Sequence, residues 1–177
     1  YGYRDSVFKN ELKGKCVVTH VVFRLMKSPT FKLDYGDLRA RVEAEGTPTL
    51  QAVRSAVTAI RDSKLPNPKE LGNAGSFFTN PVIGRKQYEA LLAENPTMPS
   101  YPIDDDHVKV PAGWLIEHVG WKGKALGHAA VHDRQALVLV NKGGATGAEV
   151  MALAQRISED IYQKYGIRIV PEVNYIV

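Results

Sequence analysis

Residues 146–166 constrain the fold more than any other stretch of this chain. Thr146-x-x-Glu149 is a capping box, in which hydroxyl and carboxylate satisfy the unpaired amides at a helix start. Val150, Leu153, Ala154, Ile157 and Ile161 follow at three- and four-residue spacing, the apolar stripe of an amphipathic helix. Gly166 supplies the stop. A helix with one apolar stripe needs a layer to cover it, and strand-type segments flank it on both sides. QALVLV (135–140) reads as a buried strand before it, and 167–176 as a last strand after it.

Elsewhere helices accumulate faster than strands. Thr47-Pro48 offers an N-cap with proline at the first helical position, and Leu50, Val53, Val57 and Ile60 give an amphipathic helix over 48–63. Short helices are predicted over 85–94 and over 111–119, the latter closed by Gly120. CVVTHVVFRLM (16–26) is β-branched and nearly continuously apolar, which predicts a third buried strand. Three strand signals are too few for a doubly wound sheet, so the class is α+β or mixed α/β, and an α+β fold with a mixed sheet is expected. Pro66-Asn67-Pro68 marks a domain boundary.

Composition removes several functional classes. With 177 residues and 44% apolar content the chain can bury a real core. No apolar run approaches the roughly 20 residues of a helical bilayer span, which argues against a membrane partner. A single cysteine, Cys16, excludes a disulfide framework and a cysteine-based zinc site, and a reducing cytoplasm is the expected compartment. The net charge of +4 is concentrated in residues 1–65, which hold 12 Lys and Arg against 7 Asp and Glu. These basic residues are scattered and do not alternate with aromatics as on a nucleic-acid stacking platform, so a nucleic-acid partner is not expected. Tyr1-Gly2-Tyr3-Arg4 opens without a methionine or an apolar leader, which reads as the continuation of a longer chain.

Few patterns carry chemistry. His128 and His132 have the i,i+4 spacing that unites two ligands only on a helix, but Gly127 and Val131 favour a strand there, and no metal is expected. Gly120-x-x-Gly123-x-x-x-Gly127 has neither dinucleotide-fold nor P-loop spacing. The loop 72–81, GNAGSFFTNP, says more. Gly72, Ala74 and Gly75 surround Ser76 with almost no side-chain volume, so backbone and ligand can approach its hydroxyl. The pattern is not G-x-S-x-G, which excludes a nucleophile elbow and leaves a positioned proton donor or a structural turn.

LGNAGSFFTNP (71–81) resembles the signature of the UDP-N-acetylenolpyruvoylglucosamine reductase family. GYRDSVFK (2–9), LDYGDL (33–38), SKLPNPK (63–69), PAGWLIE (111–117), AAVHDRQALVLVN (129–141) and PEV (171–173) resemble the same family in its order. The resemblance spans practically the whole chain and implies an FAD- and NADPH-dependent oxidoreductase. Its reaction would reduce UDP-N-acetylglucosamine enolpyruvate to UDP-N-acetylmuramate for peptidoglycan and cell-wall synthesis, in the cytoplasm and as a monomer. It implies that residues 66–165 form a substrate-binding domain, and that 1–65 with 166–177 are the remnant of an FAD-binding domain. Carried over by position, the catalytic residues are Arg4, Ser76 and Glu172. Arg4 and Glu172 would polarise the substrate carboxylate, the glutamate only if it carries or shares a proton, and Ser76 would donate the final proton. Substrate contacts would come from Tyr35, Lys64, Asn80, Tyr101, Lys109, Lys122 and Gln135, and Arg61 would reach the flavin. The FAD phosphates would be held mainly by a glycine-rich N-terminal portion that nothing here matches. A flavin-free nucleotide-sugar binding module is the alternative reading.

Overall fold

The computed structural model describes residue 2 and residues 4–176. The chain divides into two compact units, Tyr1–Thr58 and Ala59–Val177. In the first, α1 covers Leu38–Ala44 and α2, Leu50–Lys64, begins. Leu38 and Val42 share the buried side of α1, and Leu33 is buried just ahead of it. Arg39–Glu43 and Arg41–Asp37 pairs run along its exposed side at i,i+4 spacing. Thr49 and not Thr47 caps α2, because its hydroxyl oxygen accepts the Ala52 N–H at 3.1 Å.

The predicted strand at 16–26 is not formed. Those residues are irregular and exposed, with Val22 95% and Leu25 84% accessible. A strand is defined by a ladder, and among the described residues no neighbour offers one to this run. Its β-branched residues record a preference for a pleated, covered surface and cannot create that surface alone.

The second unit carries the remaining elements. In chain order they are β1 (Asn73–Ser76), β2 (Val82–Gly84), α3 (Arg85–Glu94), β3 (Tyr101–Pro102) and β4 (His107–Lys109). Then follow α4 (Ala112–His118), β5 (Ala125–Leu126), β6 (Ala129–Val131), β7 (Val138–Asn141) and α5 (Gly147–Tyr165). The strands form a four-stranded sheet in the order β1-β7-β6-β5 and a three-stranded sheet in the order β2-β4-β3. The α+β class holds, and the mixed sheet expected from sequence resolves into two sheets whose ladders are all antiparallel.

The register explains why QALVLV is apolar without alternation. Ala130 pairs with Val140 and Val131 with Leu139. One face therefore presents Ala129, Val131 and Leu139 to the main core, where Leu115 and Ile116 of α4 and Leu153, Ile157 and Ile161 of α5 are fully buried. The opposite face presents Ala130, Val138 and Val140 to Leu65 and Leu71. Both faces are covered, so both must be hydrophobic. Each fully buried Leu or Ile contributes roughly 1.5–3 kcal/mol from the removal of apolar surface from water.

The last predicted strand is also absent as an element. Residues 167–176 follow an irregular path with Ile167 and Ile169 in the core, and Pro171 forms an isolated bridge to Phe78. Two prolines restrict this register: Pro171 has no N–H to donate, and Pro81 ends the facing segment.

The capping box at α5 forms as read and does more than cap. The Glu149 carboxylate accepts the Thr146 N–H at 2.9 Å and the Thr146 hydroxyl at 3.0 Å. It also accepts the His128 N–H at 3.2 Å and meets His128 Nδ1 at 3.0 Å, tying the β5–β6 turn to the helix start. Gly127 permits this approach, since a Cβ there would lie 2.7 Å from Glu149 Oε1. These donors, the Thr146 amide foremost, hold the Glu149 carboxyl down at about 2. A depressed carboxyl stabilises the fold above its unfolded value, here the ordinary 4.5, and that contribution is lost as pH falls through about 2. Thermal melts of the chain and of Glu149→Gln should therefore differ most at neutral pH and converge between about pH 4.5 and 2. A gap independent of pH would remove the ionised carboxylate from the account.

Candidate functional site

The small-residue loop lies against the edge of the four-stranded sheet. β1 enters beside β7, but Asn73 faces Val140 while Ser76 faces Val138, so β1 uses one residue more than its partner. That extra residue is a β-bulge, and Gly75 at φ 72° supplies the left-handed backbone it needs. Ser76 is exposed on the rim, and the next two residues plunge into the core. Phe77 and Phe78 are 3% and 2% accessible and meet edge to face at 5.2 Å. The Phe77 N–H donates to the Leu137 carbonyl at 2.7 Å. Burying two adjacent phenyl rings fixes the backbone on which Ser76 is mounted.

Residues 170–172 close on the same loop. The Thr79 N–H donates to the Val170 carbonyl at 3.0 Å, and the Glu172 N–H donates to the Phe77 carbonyl at 2.8 Å. The Glu172 backbone is thus held beside Phe77, the residue after Ser76, although 96 positions separate Glu172 from Ser76 in the chain. Tyr175 follows, its ring 6.4 Å from Phe77, and burial pushes its phenol above the ordinary value.

Downstream of the phenylalanines the loop meets the first turn of α4. Asn80 Oδ1 accepts the Ala112 N–H at 2.9 Å, and the Val110 N–H donates to the Pro81 carbonyl at 2.9 Å. Gln135 Oε1 lies where a Cβ on Gly113 would be 3.5 Å away, and it accepts the Leu137 N–H at 3.3 Å. Asn80 and Gln135 therefore converge on one helix start. Lys109 pairs across the ladder with Tyr101, its ammonium 5.6 Å from the ring centroid. Lys122 donates to the Glu117 carboxylate at 2.9 Å.

A cleft of about 470 Å³ lies upstream, walled by Arg61 and Asp62 of α2, by Pro66 and Pro68, and by Asn73 and Gly75. Lys64 is the last residue of α2, three positions beyond Arg61. The cleft walls mix charged, polar and apolar groups, with Leu65 and Asn67 among them, and Gly75 brings them to the residue before Ser76. Arg4 and Tyr35 belong to the first compact unit. Arg4 is the one described non-glycine residue with positive φ, at 57°, and Tyr35 is 82% accessible.

A second cavity of about 330 Å³ is lined by Leu71, His132, Asp133, Arg134 and Lys142, among others. His132 is buried at 6% and accepts the Arg134 N–H on Nδ1 at 3.3 Å. His128 and His132 flank β6, so their i,i+4 spacing does not place them on one helical face. Among the described residues no group of three or more His, Cys, Asp or Glu could hold a metal ion, and no helix is long and apolar enough to cross a membrane.

Comparison with known proteins follows the same residues. The family model for the C-terminal domain of UDP-N-acetylenolpyruvoylglucosamine reductase matches residues 67–176. A UDP-N-acetylenolpyruvoylglucosamine reductase from Bacteroides fragilis is 56% identical over 176 residues, covering 99% of this chain and 53% of the relative. The protein of that name from Burkholderia multivorans is 54% identical, covering 97% of this chain and 50% of the relative. A crystal structure of the reductase from Thermus caldophilus is 23% identical over 71% of this chain and 33% of its own, with a TM-score of 0.44. The matched stretch, 67–176, contains the bulged loop and most of the α+β unit around it, and it matches a reductase's C-terminal domain. The chain belongs to the UDP-N-acetylenolpyruvoylglucosamine reductase family, and it spans about half the length of the curated relatives it matches.

Sequence reading left Asn73 unassigned. Its signal is present, because an Asn two residues before a Gly is the pattern of a side chain closing a turn on its own backbone. Gly75 gives a direct test of the bulge. A Cβ there would meet nothing within 4 Å, so Gly75→Ala should cost about 1–2 kcal/mol from the left-handed backbone alone. Denaturant unfolding measures this, and an unchanged stability would mean that the loop does not hold that conformation in solution.

Proposed function

We propose that this chain supplies the substrate-binding and proton-donating part of an enzyme that reduces UDP-N-acetylglucosamine enolpyruvate to UDP-N-acetylmuramate, a cytoplasmic step of peptidoglycan precursor synthesis. The observation that carries the reading is the backbone bond from Glu172 to Phe77, the residue after Ser76, in a chain 56% identical over nearly its whole length to a reductase of that name. Residues 66–165 would bind the substrate, and 1–65 with 166–177 would belong with the flavin-binding part, the last segment reaching in to deliver Glu172.

The family reductant, FAD recharged by NADPH, supplies hydride chemistry when bound. One glycine-rich turn of this chain is unsuited to its phosphates. The glycine-rich turn from β7 into α5, Lys142–Gly147, leads to a helix start that the Glu149 carboxylate already occupies. A phosphate placed there would meet a negative charge. Arg61 on the cleft wall is the residue we assign to the flavin, and the remaining contacts would lie outside this chain.

Reducing an enol ether adds hydride at its terminal carbon and leaves negative charge on the neighbouring carbon and the attached carboxylate. Arg4 as a fixed cation and Glu172 as a proton-bearing carboxyl would stabilise that charge. Ser76, exposed on the rim, would hand its hydroxyl proton to the carbon. Lys64, Lys109 and Lys122 would meet the diphosphate as compact, rotatable charges. Tyr35 and Tyr101 would cover the ligand, and Asn80 and Gln135 would present amides beside α4.

Rapid mixing of a full-length reductase carrying these residues separates the roles. Ser76→Ala should leave reduction of the flavin by NADPH intact, leave substrate affinity nearly unchanged and slow reduction of the enolpyruvyl substrate by about 10²- to 10⁴-fold. Equal slowing of both steps, or no slowing of the second, would make Ser76 a loop residue only.

A further inference from the structure

We propose that Asn73 is a positioning residue for Ser76, and that it works by holding the bulge that turns the Ser76 hydroxyl to the rim. The inference rests on the reading of Ser76 as the proton donor and adds the device that aims it.

The register shows why a device is needed. Partners across an antiparallel ladder place their side chains on the same face of the sheet. Val138 and Val140 share one face, so Asn73 and Ser76, which pair with them, share it too. Positions three apart in a regular strand point to opposite faces. Without the extra residue, Ser76 would turn toward the face that carries Leu139 and the main core. The loop would then bury a hydroxyl, and Phe77 would lose its place inside. Gly75 makes the bulge possible, but a glycine reaches many other conformations as readily. Something must select this one.

The Asn73 amide does so with three hydrogen bonds. Its Oδ1 accepts the Gly75 N–H at 3.0 Å, which closes the turn over Ala74. Its Nδ2 donates to the Leu71 carbonyl at 2.8 Å and to the Pro66 carbonyl at 3.3 Å. Both amide protons are thereby used, and Asn73 is half-buried at the wall of the cleft. The bond to Pro66 also joins the bulge to the segment just after Lys64, the residue proposed for the diphosphate. One side chain therefore sets the spacing between the cleft wall and the rim. An acceptor is required on the Gly75 side and donors on the other, which aspartate meets only in part.

That division gives the test, made in the full-length reductase. Asn73→Ala removes both sides. It should slow single-turnover reduction of the enolpyruvyl nucleotide sugar by roughly 10- to 100-fold, the scale of a misplaced reacting group. Substrate affinity by calorimetry should stay within about twofold, and the solvent deuterium isotope effect on the step should rise, since proton delivery becomes more limiting. Asn73→Asp keeps the acceptor for Gly75 but sets a carboxylate oxygen against two carbonyls. It should lower the melting temperature at least as far as Asn73→Ala while recovering most of the rate. In a Ser76→Ala background, Asn73→Ala should slow the step no further. If Asn73→Ala does not fold, the nearly isosteric Asn73→Leu takes its place with the same expectation.

Rates that fall in step with melting temperature across the Ala and Asp variants would overturn the proposal, leaving Asn73 purely structural. So would an unchanged rate in Asn73→Ala when Ser76→Ala is slow. If Ser76→Ala itself leaves the rate unchanged, the proton-donor reading falls first, and the role of Asn73 falls with it.

Discussion

The pairing of Val170–Glu172 with Phe77–Thr79 holds the candidate site together. Two backbone hydrogen bonds and the Thr79 hydroxyl, which donates to the Val170 carbonyl at 3.2 Å, bind the end of the chain to a loop 91 positions earlier. No ladder extends the contact, so its strength comes from what surrounds it. Phe77 and Phe78 on one side and Ile167 and Ile169 on the other are buried in the same core. Apolar burial stabilises the arrangement without choosing its register, and the directional bonds choose the register. The consequence for chemistry is immediate. A glutamate with no local relationship to Ser76 in sequence is bonded through its backbone to the residue that follows the serine.

A second constraint is that the loop must be both rigid and open. Small residues keep the approach to Ser76 free, and rigidity is moved to its flanks: two phenyl rings below, Asn73 before, and the bond from Ala112 to Asn80 after. That division explains a segment containing both the smallest side chains of the chain and two of its best buried aromatics. A proton donor to carbon gains from placement more than from an altered acidity, and placement is what this architecture provides.

Legibility from sequence followed the range of the interactions. α5 was readable to its ends, because the capping box, the apolar stripe and Gly166 all lie within the helix or at its borders. α3 was also read at its observed bounds. The segments 16–26 and 167–176 were misread as strands, because a strand exists only through a partner and apolar content reports covering, not pairing. In 167–176 the covering is real and comes from the core. In 16–26 the residues lie exposed in the first unit. The α2 cap moved by two residues because Thr47 and Thr49 both flank Pro48 and either hydroxyl suits the pattern. Of the site, the loop motif was legible by resemblance, while the backbone bond from Glu172 to Phe77 and the bonds of Asn73 needed the folded backbone.

The account turns on where the enolpyruvyl group sits relative to this rim. A crystal structure of the full-length reductase with UDP-N-acetylglucosamine enolpyruvate bound measures that most directly. The account predicts the Ser76 hydroxyl within hydrogen-bond reach, about 3 Å, of the carbon that is to be protonated. It predicts the Glu172 carboxyl on the adjoining carboxylate, with the diphosphate running toward Lys64. An enolpyruvyl group seated away from the 76–172 rim, or a Ser76 hydroxyl turned back into the loop with the substrate in place, would contradict it.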